Sequence, residues 1–219
     1  MEKLPSTLLE QMAACITKEE KDEMAIPSYL HKNPIMRWMV YSRVKVLWQW
    51  MVSYNHPTMN ILDYGCGTGV LLPGASSIAK QVYGVDIVLT PSRLLVEHFN
   101  LPNINLITPE MMMATIKGKS IDVIICGEVL EHIQDIESTL QGFQQLMKKS
   151  AHLLVSIPTE NTLYKLGRRA AGFSGEYHLW SSSTIHNKIL NAGFKQIRIK
   201  KIPFFDPFAI YWLVDYTFE

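Results

Sequence analysis

From Met59 onward, short apolar runs alternate with segments of helix length, and no other feature of the chain limits its folds so sharply. The runs "MNILDY", "QVYGVDI", "INLI", "IDVIICG" and "HLLVSIP" read as strands. Alternation of that kind builds βαβ units, hence a parallel sheet covered by helices on both faces. Between the fourth and fifth runs, Ile133, Ile136, Leu140, Phe143 and Met147 fall three or four apart. That period predicts a helix over Ile133 to Ser150, with Lys148 and Lys149 in its last turn, where cations suit the helix dipole. After the fifth run comes a polar stretch, Thr159 to Trp180, and then "SSSTIHNKILNAGF", whose serines can cap a helix that Gly193 ends. "KQIRIKKIPF" alternates Ile197 and Ile199 with Arg198 and Lys200, a half-exposed strand, and "FAIYWLV" follows an "FDP" turn. The apolar tail therefore reads as the closing hairpin of the sheet rather than as a membrane anchor.

Composition narrows the partners. At 219 residues, 47% hydrophobic and 19% charged, the chain can bury one substantial core, which favours a single domain with an appended segment. Twenty-one Lys and Arg against 20 Asp and Glu leave a net charge of +1, so the basic surface on which polyanion binding relies is missing and a DNA partner is disfavoured. Cys15, Cys66 and Cys126 are odd in number and show no C-x-x-C spacing, which argues against a disulfide framework or a thiolate zinc site. A reducing cytoplasm is the expected compartment. The N-terminus lacks the apolar core of a signal peptide. Ile35 to Val52 is interrupted by Arg37, Arg43 and Lys45, and Ile202 to Val214 by Asp206, so no stable membrane insertion is expected. Upstream of the first strand, Met36, Met39, Val40, Val44, Leu47 and Met51 form one helical face, with Trp38, Tyr41 and Trp48 beside it. That aromatic stripe is either core or the roof of a substrate pocket.

The stretch "NILDYGCGTGV" carries the functional signal. A strand runs into Gly65-Cys66-Gly67-Thr68-Gly69 and on into a helix, the βα turn in which backbone approaches a ligand closely. A dinucleotide fingerprint would place another glycine at position 70, which is Val70, and a pyrophosphate at the helix N-terminus. Asp63, two residues before the first glycine, would repel a pyrophosphate but could receive an ammonium; capping of the turn is its other reading. Asp86 ends "VYGVDI", where an acidic side chain accepts from both hydroxyls of a ribose. Together these features point to a nucleoside without phosphates, joined to an amino acid.

On "ILDYGCGTG", "VYGVDI" and "CGEVLEHI", in register, the chain resembles the class I S-adenosylmethionine-dependent methyltransferases from Met59 to about Phe204. Within them it looks like the small-molecule group that includes the quinone-ring O-methyltransferases. The resemblance implies an α/β, Rossmann-like, doubly wound and mostly parallel seven-stranded sheet, with a C-terminal antiparallel hairpin and a helical N-terminal cap. Residues 1–55 would form the cap and 56–219 the S-adenosylmethionine-binding domain, with a substrate-side insert at about 159–180. It also implies that Asp63, Gly65, Cys66, Gly67 and Gly69 hold the methionine moiety, that Asp86 holds the ribose, and that Ile87 packs on the adenine. Glu110 and Met111 occupy the usual adenine-edge position, where the common Asp is absent; Cys126 and Gly127 would line the methionine side. Arg37, in "NPIMRW", resembles the arginine that some relatives set on the cofactor carboxylate, and fits equally a surface charge on an amphipathic helix.

Methyl transfer from a sulfonium is an in-line displacement that needs a held nucleophile, excluded water and often a base. His132, just beyond the fourth strand, has the resting pKa for that base; packing against the cofactor or capping a helix is its other reading. Glu128, Glu131 and His132, with His178 as a further ligand, resemble the metal-binding signature of small-RNA 2′-O-methyltransferases and some quinone O-methyltransferases. Metal-free relatives share that signature, so no metal is assigned. The function that follows is methyl transfer from S-adenosyl-L-methionine to a small-molecule acceptor: O-methylation of a hydrophobic or aromatic metabolite, or of a lipid or sugar intermediate. Metal-assisted 2′-O-methylation of RNA and a catalytically silent, cofactor-binding partner subunit stay open as alternatives. A short-chain dehydrogenase is disfavoured because the one Tyr-x-x-x-Lys, Tyr41 to Lys45, precedes the glycine turn, and a base-amine methylase because Cys126-Gly127-Glu128-Val129 stands where an Asn-Pro-Pro-Tyr turn would be. Trp38, Tyr164, Phe173, Tyr177 and Trp180 suggest a ring-bearing acceptor, and Arg168 and Arg169 an anionic one if they are not simply solvated.

Overall fold

The structure, a computed structural model, describes residues 3–24, 26–159, 161 and 179–218. Tyr164, Arg168, Arg169, Phe173, Tyr177 and His178, named above as candidate acceptor or metal contacts, lie outside the described residues.

The apolar runs form the strands β1 (Asn60–Tyr64), β2 (Gln81–Val85), β3 (Ile104–Ile107), β4 (Ile121–Gly127) and β5 (Met147–Pro158), followed by β6 (Lys195–Ile202) and β7 (Tyr211–Thr217). They make one seven-stranded sheet in the order β3-β2-β1-β4-β5-β7-β6. The first five strands are parallel, and β7 runs antiparallel between β5 and β6. Strand order reverses between β1 and β4, so a crevice opens beyond their carboxyl ends. Ile61, Leu62, Ile124, Ile125 and Leu154 are wholly buried, as strands covered on both faces must be. The covering helices are α1 (Ser6–Ala14), α2 (Lys18–Glu23), α3 (Ile26–Tyr29), α4 (Pro34–Ser53), α5 (Leu72–Ile78), α6 (Thr90–Phe99), α7 (Pro109–Thr115), α8 (Ile136–Leu146) and α9 (Ser182–Asn191). Ser181 caps α9, its hydroxyl accepting from Thr184 N at 3.2 Å, and Gly193 follows the helix at φ +91°. No helix among the described residues is long and apolar enough to cross a membrane.

Two local expectations are corrected. The helix predicted over Ile133 to Ser150 runs only from Ile136 to Leu146. Met147 already pairs with Ile121 across the sheet, and Lys148 reaches both oxygens of Asp122 at 2.8 Å, so the two lysines serve a strand and not a helix end. A buried apolar residue placed a helical step beyond Phe143 fits either structure, and the empty edge of β4 decides for the strand. In β6 the alternation is inverted. Ile197 and Ile199 face solvent, while Arg198 turns inward because the fully buried Asp215 of β7 requires a cation.

Helix α4 carries the N-terminal segment onto the sheet. Asn33 caps it by accepting from Ile35 N at 2.9 Å, and Val40, Val44, Leu47 and Met51 bury its inner face. Trp38, Tyr41 and Trp48 of the aromatic stripe do not line the cavity at the carboxyl ends of the strands. Tyr41 packs on Tyr29 at 5.2 Å between ring centres, Trp48 lies against Gly74, and Trp38 is 55% exposed. At the far end of α4, Tyr54 stacks on His152 at 3.6 Å and gives its hydroxyl to Asp215. Asp215 also accepts from Arg198 Nε at 2.8 Å and lies 2.9 Å from His152 Nδ1. One buried carboxylate thus joins β5, β6, β7 and the end of α4. Asp215→Ala should cost about 1–3 kcal/mol of unfolding free energy, because it leaves the partly buried Tyr54 and Arg198 donors without their acceptor, and urea denaturation monitored by tryptophan fluorescence should read that loss.

Candidate functional site

A cavity of about 450 Å³ opens at the carboxyl ends of β1, β2 and β4. Its floor is the turn after β1, where Gly65, Gly67 and Gly69 take φ of +74°, +51° and +76°. Gly65 N and Cys66 N both donate to Val85 O, at 2.7 and 3.1 Å, and Gly67 N donates to Asp86 Oδ2 at 2.7 Å. Gly65 is demanded twice over: its φ is left-handed, and a Cβ there would stand 2.1 Å from a Val129 methyl. Above Gly67 the space is open, a Cβ meeting only Met24 at 3.7 Å, so a ligand can approach that backbone closely.

Two carboxylates flank the turn in different states. Asp86 is oriented by Gly67 N and, at 3.0 Å on Oδ1, by Val88 N; burial raises its pKa and these bonds hold it back. Asp63 is 4% exposed, and no described residue donates to it. Burial first, and the charge of Asp86 second, push it from 3.8 to about 7. Cys66 is buried with its thiol pushed well up, which keeps it protonated and unreactive. Ile87 is 72% exposed at the rim.

Of the residues singled out from the sequence, Asp63, Gly65, Cys66, Gly67, Asp86, Ile87, Gly127 and His132 line this one cavity. Others do not reach it. Gly69 turns the chain into α5, Cys126 is sealed inside β4, and Glu110 and Met111 are exposed at the start of α7, where Pro109 is the residue on the wall. The Arg37 guanidinium donates to His31 O at 2.6 Å and closes the loop before α4.

The arginine on the wall is Arg43, whose Nη2 lies 2.7 Å from Glu128 Oε2, with the two side chains 6% and 18% exposed. Its signal in the sequence was a charge set within the buried stripe of Val40, Val44 and Leu47. Glu20, Met24 and Tyr29 bring the N-terminal helices over the same opening. His132 sits exposed on the cleft wall, on the short turn Leu130–His132. Glu131 is 1% exposed, and no group of three His, Cys, Asp or Glu side chains able to hold a metal occurs among the described residues. The arrangement can hold a diol on Asp86, a cation at Asp63 and a flat apolar group against Ile87.

Comparison with known proteins bears on the family and the fold. A family model described as methyltransferase domain matches residues 40–215. A ubiquinone biosynthesis O-methyltransferase of Cupriavidus pinatubonensis is 31% identical over 105 residues, 46% of this chain and 42% of that protein, so the matched stretch spans less than half of the relative. Among solved structures, a protein of Pyrococcus horikoshii superposes with a TM-score of 0.70 at 15% identity, over 93% of this chain and all of that one. An N-methyltransferase of Bradyrhizobium japonicum in complex with S-adenosyl-L-homocysteine does so at 0.66 and 14% identity, over 91% of this chain and 96% of that one. At such identities the structural likenesses carry the fold alone.

The buried Asp63 makes the ligand-free protein sensitive to pH. A carboxyl raised from 3.8 to about 7 adds stability that is complete below the ordinary carboxylate range and is lost as pH climbs through about 7. Asp63→Asn should therefore raise the melting temperature at pH 8 and flatten its fall between pH 5 and 8, measured by scanning calorimetry without ligand.

Proposed function

The chain belongs to the methyltransferase domain family, and on that premise we propose that it transfers a methyl group from S-adenosyl-L-methionine to an oxygen of a small, largely apolar acceptor. The observation that carries the reading is the pairing of Asp63, buried and without a donor, with Asp86, already oriented, across a glycine turn that leaves room above Gly67. The groups fit the cofactor's chemistry: an ammonium for Asp63, ribose hydroxyls for Asp86. Oxygen as the accepting atom is supported by the name of the Cupriavidus relative.

When bound, S-adenosyl-L-methionine supplies a methyl group on a sulfonium, open to in-line attack. The residues of this chain do the rest. Asp86 accepts from the ribose with the lone pairs that Gly67 and Val88 leave, Ile87 covers the adenine, and Asp63 becomes ionised as it receives the ammonium. Gly65, Cys66 and Gly67 bring backbone against the methionine moiety. The helices of residues 1–55, through Glu20, Met24 and Tyr29, act as a cap that excludes water. His132 takes the proton of the acceptor.

Titration calorimetry should show S-adenosyl-L-homocysteine binding and NADH failing to bind; the reverse would overturn the reading. Asp86→Ala should weaken that binding by about 1–3 kcal/mol, the cost of unpaired hydroxyls. With isotopically labelled cofactor and a metabolite extract as the acceptor pool, His132→Ala should slow label transfer about 10²–10⁴-fold while cofactor affinity is kept. A His132→Asn variant as fast as wild type would remove His132 from proton transfer.

A further inference from the structure

The cofactor reading leaves one group in the cleft without a task. β4 ends at Gly127, and Glu128 then takes φ +58°, a conformation that a residue with a Cβ adopts only under constraint. Its own N–H is fixed on Ser156 O at 2.9 Å, and this turn throws the carboxylate into the cavity. There Oε2 meets Arg43 Nη2 at 2.7 Å, and the Arg43 guanidinium lies 5.5 Å from the centre of the Tyr211 ring. Oε1 is buried and receives no hydrogen bond from the described residues. A buried acceptor oxygen left unmade is costly, so this atom favours any ligand that brings a donor. The next residue, Val129, presses on Gly65, which sets Glu128 beside the turn assigned to the methionine moiety.

We propose that Glu128 Oε1 anchors the methyl acceptor by receiving a hydrogen bond from its hydroxyl, and that the Arg43 and Glu128 pair selects neutral, ring-bearing hydroxyl compounds against carboxylates. The proposal rests on the methyltransferase reading of the cleft. The surroundings suit such a compound: Tyr29, Val44, Leu47, Val129 and Ile133 line the cavity with one ring and four aliphatic groups. Burial pushes the Tyr29 phenol up to about 12, so it stays neutral. Arg43 and Glu128 neutralise each other, and an anionic acceptor would meet a carboxylate without gaining a net cation.

The test titrates para-phenylphenol and para-phenylbenzoate, alike except for hydroxyl against carboxylate, into the protein saturated with S-adenosyl-L-homocysteine. Wild type should bind the phenol about tenfold or more tightly than the benzoate, the scale of one buried hydrogen bond. Glu128→Gln should lower that ratio about tenfold, or invert it, because the site loses the negative charge that repels a carboxylate. Glu128→Asp, which keeps the charge but withdraws the oxygen, should weaken the phenol while the benzoate stays weak. Equal binding of the two probes by wild type, or a ratio unchanged in either folded variant, would overturn the proposal; the wild-type ratio alone decides if neither variant folds. Failure of the first step, binding of S-adenosyl-L-homocysteine by wild type, would instead sink the methyltransferase reading and the acceptor site with it.

Discussion

Two backbone N–H groups, at Gly65 and Cys66, donate to one carbonyl, Val85 O, and the shape of the cleft depends on that shared bond. It locks the turn after β1 to the end of β2, two segments that parallel pairing alone would bring only to the same height. Once they are locked, Gly67 N lies within reach of Asp86, so the side chain that lines the cavity is oriented by backbone that also lines it. The turn passes through left-handed φ values at Gly65, Gly67 and Gly69, which glycine adopts without a Cβ penalty. Val129 packs against Gly65 from the end of β4 and closes the third side.

Asp63, Asp86 and Glu128, three of the carboxylates that line a cavity of about 450 Å³, are each treated differently. Backbone N–H groups hold Asp86, a buried guanidinium holds Glu128, and Asp63 has neither. Burial first, and the charge of Asp86 second, push Asp63 up to about 7, while the backbone N–H groups hold Asp86 back against its own burial. On the proposed reading, one ready acceptor, one paired carboxylate and one carboxylate without a donor would separate the tasks of holding a diol, choosing a neutral acceptor and receiving a cation. The pairing of Arg43 with Glu128 also binds the N-terminal helices to the ends of the strands, since the arginine comes from α4 and the glutamate from the residue after β4. Asp215 performs the same joining at the C-terminal end of α4 through Tyr54.

Most of the architecture was legible in the chain because its causes are local. Runs such as "ILDY" and "VIIC" are buried on both faces and therefore uniformly apolar, and glycines at 65, 67 and 69 with acids at 63 and 86 record backbone demands within one βαβ unit. That is why Asp63, Gly65, Cys66, Gly67, Asp86 and Ile87 emerged together on one cavity. The errors have a common cause as well. Met147 after Phe143 fits a helix by period but belongs to β5, and Arg198 looked solvent-facing but points at Asp215, because in each case a partner distant in sequence outbid the local pattern.

The sequence by itself determined the parallel sheet, its closing hairpin and the glycine turn with its two acids, since spacing and hydrophobic period are intrinsic to a chain. Only the tertiary structure decided which arginine enters the cleft, Arg43 and not Arg37, and that Glu128 is thrown inward by a left-handed turn. Those choices depend on where α4 lands on the sheet and on which buried charge needs a partner there. Coulomb attraction in a dry site acts across space and leaves no period in the sequence to read.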